Sequence, residues 1–168
     1  MQKHRNHWMN GIKLLILSCY KLEKNTSKNM VKNNQNDIGW IDHYGFILVA
    51  FAHMTDWYLA DSELQVISEK MEFMLSSTNQ PYESDQVAQK LIKVINRYQS
   101  FTKDGETMDA LFNSCTTLDK EPWFDNLASA LLLENLAEIA EADRKIEKTE
   151  IQFLKNIADV FGVSPPRI

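Results

Sequence analysis

DWYLADSE, residues 56–63, decides the fold of this chain, because the same pattern returns as DRKIEKTE, residues 143–150. Both stretches read Asp-x-x-apolar-x-x-x-Glu, with Leu59 and Ile146 at the apolar position, and they lie 87 residues apart. Each follows a long apolar run and precedes a shorter amphipathic one. Since an internal repeat sets the architecture, the sequence predicts two helix–acidic loop–helix units.

The acids of this pattern have a structural interpretation. An Asp ends a helix readily, because its short side chain competes for backbone hydrogen bonds. The Glu then falls in the first turn of the next helix, where it accepts from free N–H groups and meets the positive end of the macrodipole. These acids are therefore predicted to terminate and cap helices.

A divalent-cation site is the alternative, since hard cations prefer carboxylate and carbonyl oxygens. The candidate metal ligands are Asp56, Glu63, Asp143 and Glu150. A weaker set is the run Glu134, Glu138 and Glu141, spaced i, i+4, i+7 on one helical face. A charged run of this kind is more typical of a face turned to water, and its repulsion costs only a few tenths of a kcal/mol per pair, roughly.

Composition places the chain among all-α globular proteins. Its 168 residues fit one domain, 44% of them are apolar, and only five Gly and four Pro interrupt the pattern. The two cysteines, Cys19 and Cys115, form no CxxC pair, so neither a zinc framework nor a disulfide framework is expected. Cys115 fits a small buried apolar residue.

Charge divides the chain in two. Residues 1–36 carry seven Lys/Arg and one Glu, a net +6, whereas residues 37–168 carry eleven Lys/Arg and twenty-two Asp/Glu, a net −11. We therefore expect a basic, Asn-rich extension over residues 1–37 and a helical domain over residues 38–168. The acidic domain argues against nucleic acid as its partner, while the extension suits an anionic one.

Residues 12–22 of that extension predict a short amphipathic helix. It would dock on the domain or lie on a membrane surface. Its apolar core is too short for an export signal and contains Lys13. No stretch reaches the length of a transmembrane helix, so peripheral membrane contact through residues 1–36 is the form that a membrane role would take.

Periodicity predicts six helices in the domain. They cover residues 40–55, 62–75, 84–98, 106–117, 121–139 and 147–161. The first is apolar on nearly all sides, which is typical of a central buried helix; its late His53 is expected to be a hydrogen-bonded core or boundary residue. The fifth is predicted to open at Glu121-Pro122 and to turn its leucines, Leu127 and Leu131 included, away from the glutamate run.

The two acidic loops and the closing stretch IAEADRKIEKTEIQFLKNIADVFGVSP resemble the TerB family of tellurite-resistance proteins, which is related to the N-terminal region of DjlA-type co-chaperones. The resemblance covers about residues 38–165. It implies a compact domain of about seven helices, a bacterial and cytoplasmic setting that sometimes includes the inner face of the membrane, and a role in tellurite or other stress resistance. No enzymatic activity is established for that family. The resemblance also implies that the acidic positions are candidates for metal binding. This chain departs from the family's Asp-Gly loop start with Asp56-Trp57 and Asp143-Arg144.

Three functions remain as hypotheses. The first is a non-catalytic module that acts through protein partners and binds a divalent cation at its acidic loops. The second is a membrane-tethered or co-chaperone-like adaptor. The third is a metal-dependent enzyme, which only the carboxylates favour, because no Gly-rich phosphate loop, no HExxH and no locally readable Ser/His/Asp arrangement is present.

Overall fold

The structure, a computed structural model, describes residues 39–56, 59, 61–77, 84–101, 104–142, 146 and 148–167. Throughout this part the chain is all-α, with six helices and no strand. The fold-class prediction is therefore confirmed at that level. The basic extension and its predicted helix over residues 12–22 lie outside the described residues.

The helices follow one another with short connections. They are α1 Trp40–Asp56, α2 Asp61–Ser77, α3 Ser84–Gln99, α4 Asp104–Leu118, α5 Asn126–Glu141 and α6 Lys148–Phe161. The family resemblance implied about seven helices, and the described residues hold six. Residues 164–167 are not helical.

Helix α1 is the centre of the domain. All residues from 41 to 52 are buried, and α1 contacts each of the other five helices. A helix that is apolar on all sides is shielded from water to this degree only when neighbouring helices surround it. The prediction of a central first helix is confirmed.

A glycine in the middle of α1 lets its neighbours come close. A Cβ atom at Gly45 would lie 2.9 Å from both Sδ and Cε of Met71 in α2, and 3.3 Å from Cγ2 of Val94 in α3. Glycine inside a helix costs about 0.5–1 kcal/mol relative to alanine. At this position the cost is offset by the close packing of two helices on α1.

Helix α5 begins later than the sequence predicted. Pro122 lies in a turn in which the N–H of Phe124 donates to the carbonyl of Glu121 at 2.9 Å. Asp125 is the true N-cap, and its carboxylate accepts from the N–H groups of Leu127 and Ala128, both at 3.0 Å. Proline fits the second position of a β-turn as well as a first helical turn, and a capping Asp selects the helix start.

Helix α6 is followed directly by Gly162, which has a φ of +65°. Its N–H donates to the carbonyl of Asp159 at 3.3 Å, and the N–H of Val163 donates to Ala158 at 3.1 Å. These two bonds form a Schellman motif, which needs a left-handed residue and so favours glycine.

Cys115 is buried in α4, as predicted, and burial raises the pKa of its thiol to about 12. Among the described helices none has the length and apolarity needed to cross a membrane.

Candidate functional site

The structure places the two repeat glutamates at equivalent helix positions. Glu63 is the third residue of α2 and Glu150 the third residue of α6, and both belong to the first turn. Glu63 is only 4% exposed to solvent and Glu150 only 6%. The prediction that each glutamate lies in a first helical turn is confirmed, and this is the position from which a Glu serves a capping box.

The two aspartates of the pattern cannot be placed in the same way. Asp56 is the last residue of α1, but its side chain and the whole of Asp143 lie outside the described residues. Of the apolar positions, Leu59 is partly buried against the core and Ile146 is also partly buried. Helices α2 and α6 begin at residues 61 and 148, which the 87-residue offset superposes. The internal repeat itself stays a prediction.

Within the described stretches, no three or more His, Cys, Asp or Glu side chains lie close enough to hold a metal ion. Glu134, Glu138 and Glu141 are exposed on α5, and the carboxylate of Glu138 pairs with the ammonium of Lys70 in α2. The predicted set at the acidic loops includes two side chains outside this part of the chain, so the cation site stays a prediction.

An apolar groove that the sequence analysis did not predict lies beside the start of α1. This groove is a cavity of about 540 Å³, and α1, the end of α2, the turn before α5 and the start of α5 form its walls. The lining residues are Trp40, Phe73, Met74, Ser77, Glu121, Trp123, Ala128 and Leu131. The rings of Trp40 and Trp123 meet edge to face, with centroids 4.8 Å apart, so one wall is rigid and aromatic.

Large apolar side chains beside this groove are open to solvent. Phe73 is 53% exposed and Leu127 is 79% exposed. Leu127 lies one turn before the lining residue Leu131 on the same face of α5. Exposed apolar residues that cluster around a cleft, unlike scattered ones, mark an interaction surface.

The predicted division of α5 into a leucine face and a glutamate face is correct only in part. The core positions Leu132, Leu136 and Ile139 are buried on the side away from the exposed glutamates, but Leu127 and Leu131 do not lie on that side. Leu127, Leu131, Glu134 and Glu138 follow one another at i, i+4, i+7 and i+11, which places all four on one face. This face is apolar at its start, where it borders the groove, and acidic further along. The later start of α5 does not cause the error. The spacing alone could have shown this error, because Leu127 and Leu131 share a helical face with Glu134 and not with the core positions. Those core positions are Leu132, Leu136 and Ile139.

Both described histidines are bonded, as expected for His53. Its Nδ1 lies 2.9 Å from the hydroxyl of Tyr98, and Nδ1 of His43 lies 3.2 Å from the hydroxyl of Ser114. That serine hydroxyl donates to the carbonyl of Ala110 at 2.9 Å, so Nδ1 of His43 is the donor in their bond. Burial and the charge of Arg97 lower the pKa of His43, against an opposing effect of Asp42.

Comparison with known proteins finds similarity to two viral proteins. No family model matches the chain, and no solved structure matches it. Two proteins from African swine fever virus are similar, each 28% identical over 156 residues. One, from a South African tick isolate, is named "Putative RNA-ligase", and the other, from a Namibian warthog isolate, is an uncharacterized protein. The alignment covers 82% of this chain and 33% of each relative, so the chain spans about a third of their length.

Proposed function

We propose that this chain is a non-catalytic, TerB-like helical module of tellurite or other stress resistance that acts by binding a partner protein. The observation that supports this most is the groove of Trp40, Phe73, Trp123 and Leu131, with exposed Leu127 at its edge. Apolar residues that stay exposed to water lower the solubility of a domain and do not stabilise its fold. A partner that covers them recovers the free energy of apolar burial.

The partner that fits the groove is an amphipathic helix with basic residues beside its apolar stripe. A groove of this size is within the range of small-molecule sites, about 300–1,000 Å³. A small ligand inside it would nevertheless leave most of Leu127 in water, whereas a helix laid along the groove would cover it. Glu121 lines the groove and Glu134 follows the leucines on α5, so lysine or arginine on the partner would complement the acidic end.

The cation-binding part of the proposal rests on the acidic loops. Two buried glutamates at equivalent helix starts, Glu63 and Glu150, each lie close in sequence to an aspartate, Asp56 and Asp143. A cation held there would stiffen the loop between the paired helices. The setting we propose is the cytoplasm, at the inner membrane face where the basic extension contacts anionic lipid.

A peptide titration tests the groove. The probe is a fluorescent amphipathic peptide of about 18 residues, five helical turns, with leucines on one face and lysines along both flanks. We expect saturable binding to the full chain, and at least a tenfold loss of affinity in Leu127→Ser, since fully burying a leucine side chain contributes about 1.5–3 kcal/mol. Phe112→Ser is the matched control, because Phe112 is exposed on α4, which does not line the groove.

A second peptide, with glutamate in place of every lysine, tests how much charge contributes to the affinity beyond apolar contact. We expect this acidic peptide to bind more weakly than the basic one. Equal affinity of the Leu127→Ser and Phe112→Ser variants for the basic peptide would reject the groove as the docking site.

In cells that make the chain, Leu127→Ser should lose growth on tellurite while Phe112→Ser keeps it. Equal growth of the two variants on tellurite would show that the groove is not needed for tellurite resistance.

A second candidate function follows from the 28% identity to a protein named "Putative RNA-ligase". On this proposal the chain is one part of an RNA-joining system, since it spans a third of that relative. The test is whether the full chain joins two labelled RNA strands when a nucleoside triphosphate and Mg²⁺ are supplied. Joined product would replace the non-catalytic proposal. Product that forms only when a second protein is added would make this chain an accessory domain.

A further inference from the structure

Three aromatic rings line the apolar groove, and we call them its aromatic wall: Trp40, Phe73 and Trp123. The planes of the two tryptophan rings stand 69° apart where they meet. Both tryptophans are only partly buried, and Phe73 is more than half exposed. The face of an aromatic ring carries the negative part of its quadrupole and attracts a cation. Rings set at an angle can therefore act together on one positive group.

The aromatic wall is anchored to the core through the turn before α5. The ring of Trp123 meets the ring of Phe124 edge to face, with centroids 5.5 Å apart. Phe124 is itself buried, and its ring centroid lies 5.2 Å from that of Phe161. In the same turn the N–H of Glu121 donates to the carbonyl of Leu118 at 2.9 Å. A ligand therefore meets a wall that loses little conformational freedom on binding.

The polar groups of the groove select the chemistry of the ligand. Among the described residues that line it, Glu121 is the only charged one, and Ser77 carries the only other side-chain oxygen. The Ser77 hydroxyl already donates to the carbonyl of Phe73 at 3.0 Å. An ordinary ammonium brings three N–H donors and a guanidinium five, and donors left without acceptors oppose binding. A quaternary ammonium is positively charged and has no N–H, so it suits a groove of rings with one carboxylate.

We propose that the aromatic wall and Glu121 form a cage for the trimethylammonium group of a methylated lysine on the partner protein. This inference rests on the proposed function, because the lysine belongs to the helix that docks in the groove. Its aliphatic stem can cross the apolar lining while its charged end meets the rings. The rings attract the cation through their quadrupoles, and Glu121 attracts it by charge.

The test uses the basic peptide described above, prepared with each flanking lysine trimethylated in turn. Each member is compared with the same peptide carrying a tert-butyl isostere, in which carbon replaces the charged nitrogen. Apolar contact alone predicts that the neutral isostere binds at least as tightly. We expect one trimethylated peptide to bind the full chain about threefold to tenfold more tightly than its isostere, the range of a cation–π contact. The indole N–H signals of Trp40 and Trp123 should shift on binding in two-dimensional NMR.

Two pairs of variants locate the effect. Phe73→Leu keeps an apolar side chain but removes the ring, and it should reduce the advantage of the charged peptide over its isostere. Phe112→Leu is the control, because Phe112 is exposed on α4 outside the groove. Glu121→Gln should reduce the same advantage. Its control is Glu134→Gln, which removes an exposed glutamate of α5 that does not line the groove.

The outcomes separate the cage from the proposed function. Equal binding of the trimethylated and isosteric peptides, both weakened by Leu127→Ser, would overturn the cage and leave the docking groove in place. Failure of every peptide to bind would overturn the docking function, and tetramethylammonium would then probe the cage alone. Indole shifts that Phe73→Leu abolishes and Phe112→Leu keeps would support the cage, and an absence of shifts would overturn it.

Discussion

Asn135 donates from Nδ2 to the hydroxyl oxygen of Tyr44 at 2.6 Å, across the contact between α5 and α1. Both residues are buried, and they are 91 positions apart in the chain. Burial raises the pKa of Tyr44 well above its ordinary value of 10.0, against a smaller lowering by the Asn135 bond. This hydrogen bond therefore joins α1 and α5 inside the core.

This pair should show strong coupling in a double-mutant cycle. Tyr44→Phe removes the hydroxyl and leaves the buried amide of Asn135 without its acceptor, which should lower the free energy of unfolding by about 1–3 kcal/mol. Adding Asn135→Leu should recover part of that loss, because an apolar pair needs no hydrogen bond. Urea unfolding of the four proteins measures the cycle, and additive losses would contradict the coupling.

The repeat glutamates should behave as helix caps. Glu63→Ala and Glu150→Ala each remove a buried first-turn carboxylate, and each should cost about 0.5–2 kcal/mol of unfolding free energy. Glu134→Ala serves as the control, since it removes an exposed glutamate from the middle of α5. Thermal and urea unfolding report the losses. If the control variant loses as much stability as the two others, the capping interpretation fails.

The acidic loops should respond to a divalent cation if the metal hypothesis is correct. Adding Ca²⁺, Mg²⁺, Mn²⁺ and Zn²⁺ in turn should then give saturable amide shifts centred on residues 56–63 and 143–150. The double variant Asp56→Asn with Asp143→Asn should lose these shifts and stay folded. An absence of shifts at millimolar metal would leave Glu63 and Glu150 as structural caps.

Acid should destabilise the domain partly through His43. Its pKa in the fold lies below the ordinary value of 6.5, mainly because of burial and then because of Arg97, so the unfolded chain binds the proton first. As the pH falls through about 6.5, the unfolded state is favoured, and this loss grows until the pH reaches the pKa of the folded state. Relative to His43→Asn, the native chain should therefore lose more stability between pH 7.5 and 5.5. Parallel stability curves for the two proteins would show that His43 does not contribute.

Much of the fold follows from local sequence patterns. The apolar periodicity of residues 40–55 predicts both the helix and its central position, because a helix without a polar face has to be surrounded. Gly162 similarly marks the end of α6, since few other residues take positive φ without strain. The start of α5 does not follow in this way: Pro122 suits a turn as well as a helix, and Asp125 decides between them through two backbone bonds.

The functional surfaces depend on neighbours that are distant in the chain. The groove joins Trp40, Phe73 and Trp123 from three separate segments, and no pattern within one helix shows that side chains so far apart will meet. The ion pairs of Asp42 likewise need α3 to pack against the first turn of α1, so that Lys90 and Lys93 share its carboxylate. Contacts of this kind arise from packing rather than from periodicity.

By itself the sequence determined the helical class, the central first helix and the first-turn positions of Glu63 and Glu150, because hydrophobic period and capping chemistry act within a few residues. The tertiary structure alone decided which polar groups became buried. It paired Tyr44 with Asn135 and left Nη1 of Arg97 without a partner among the described residues. The physical reason is that burial and hydrogen bonding depend on the distances between helices, and close packing of whole helices sets those distances.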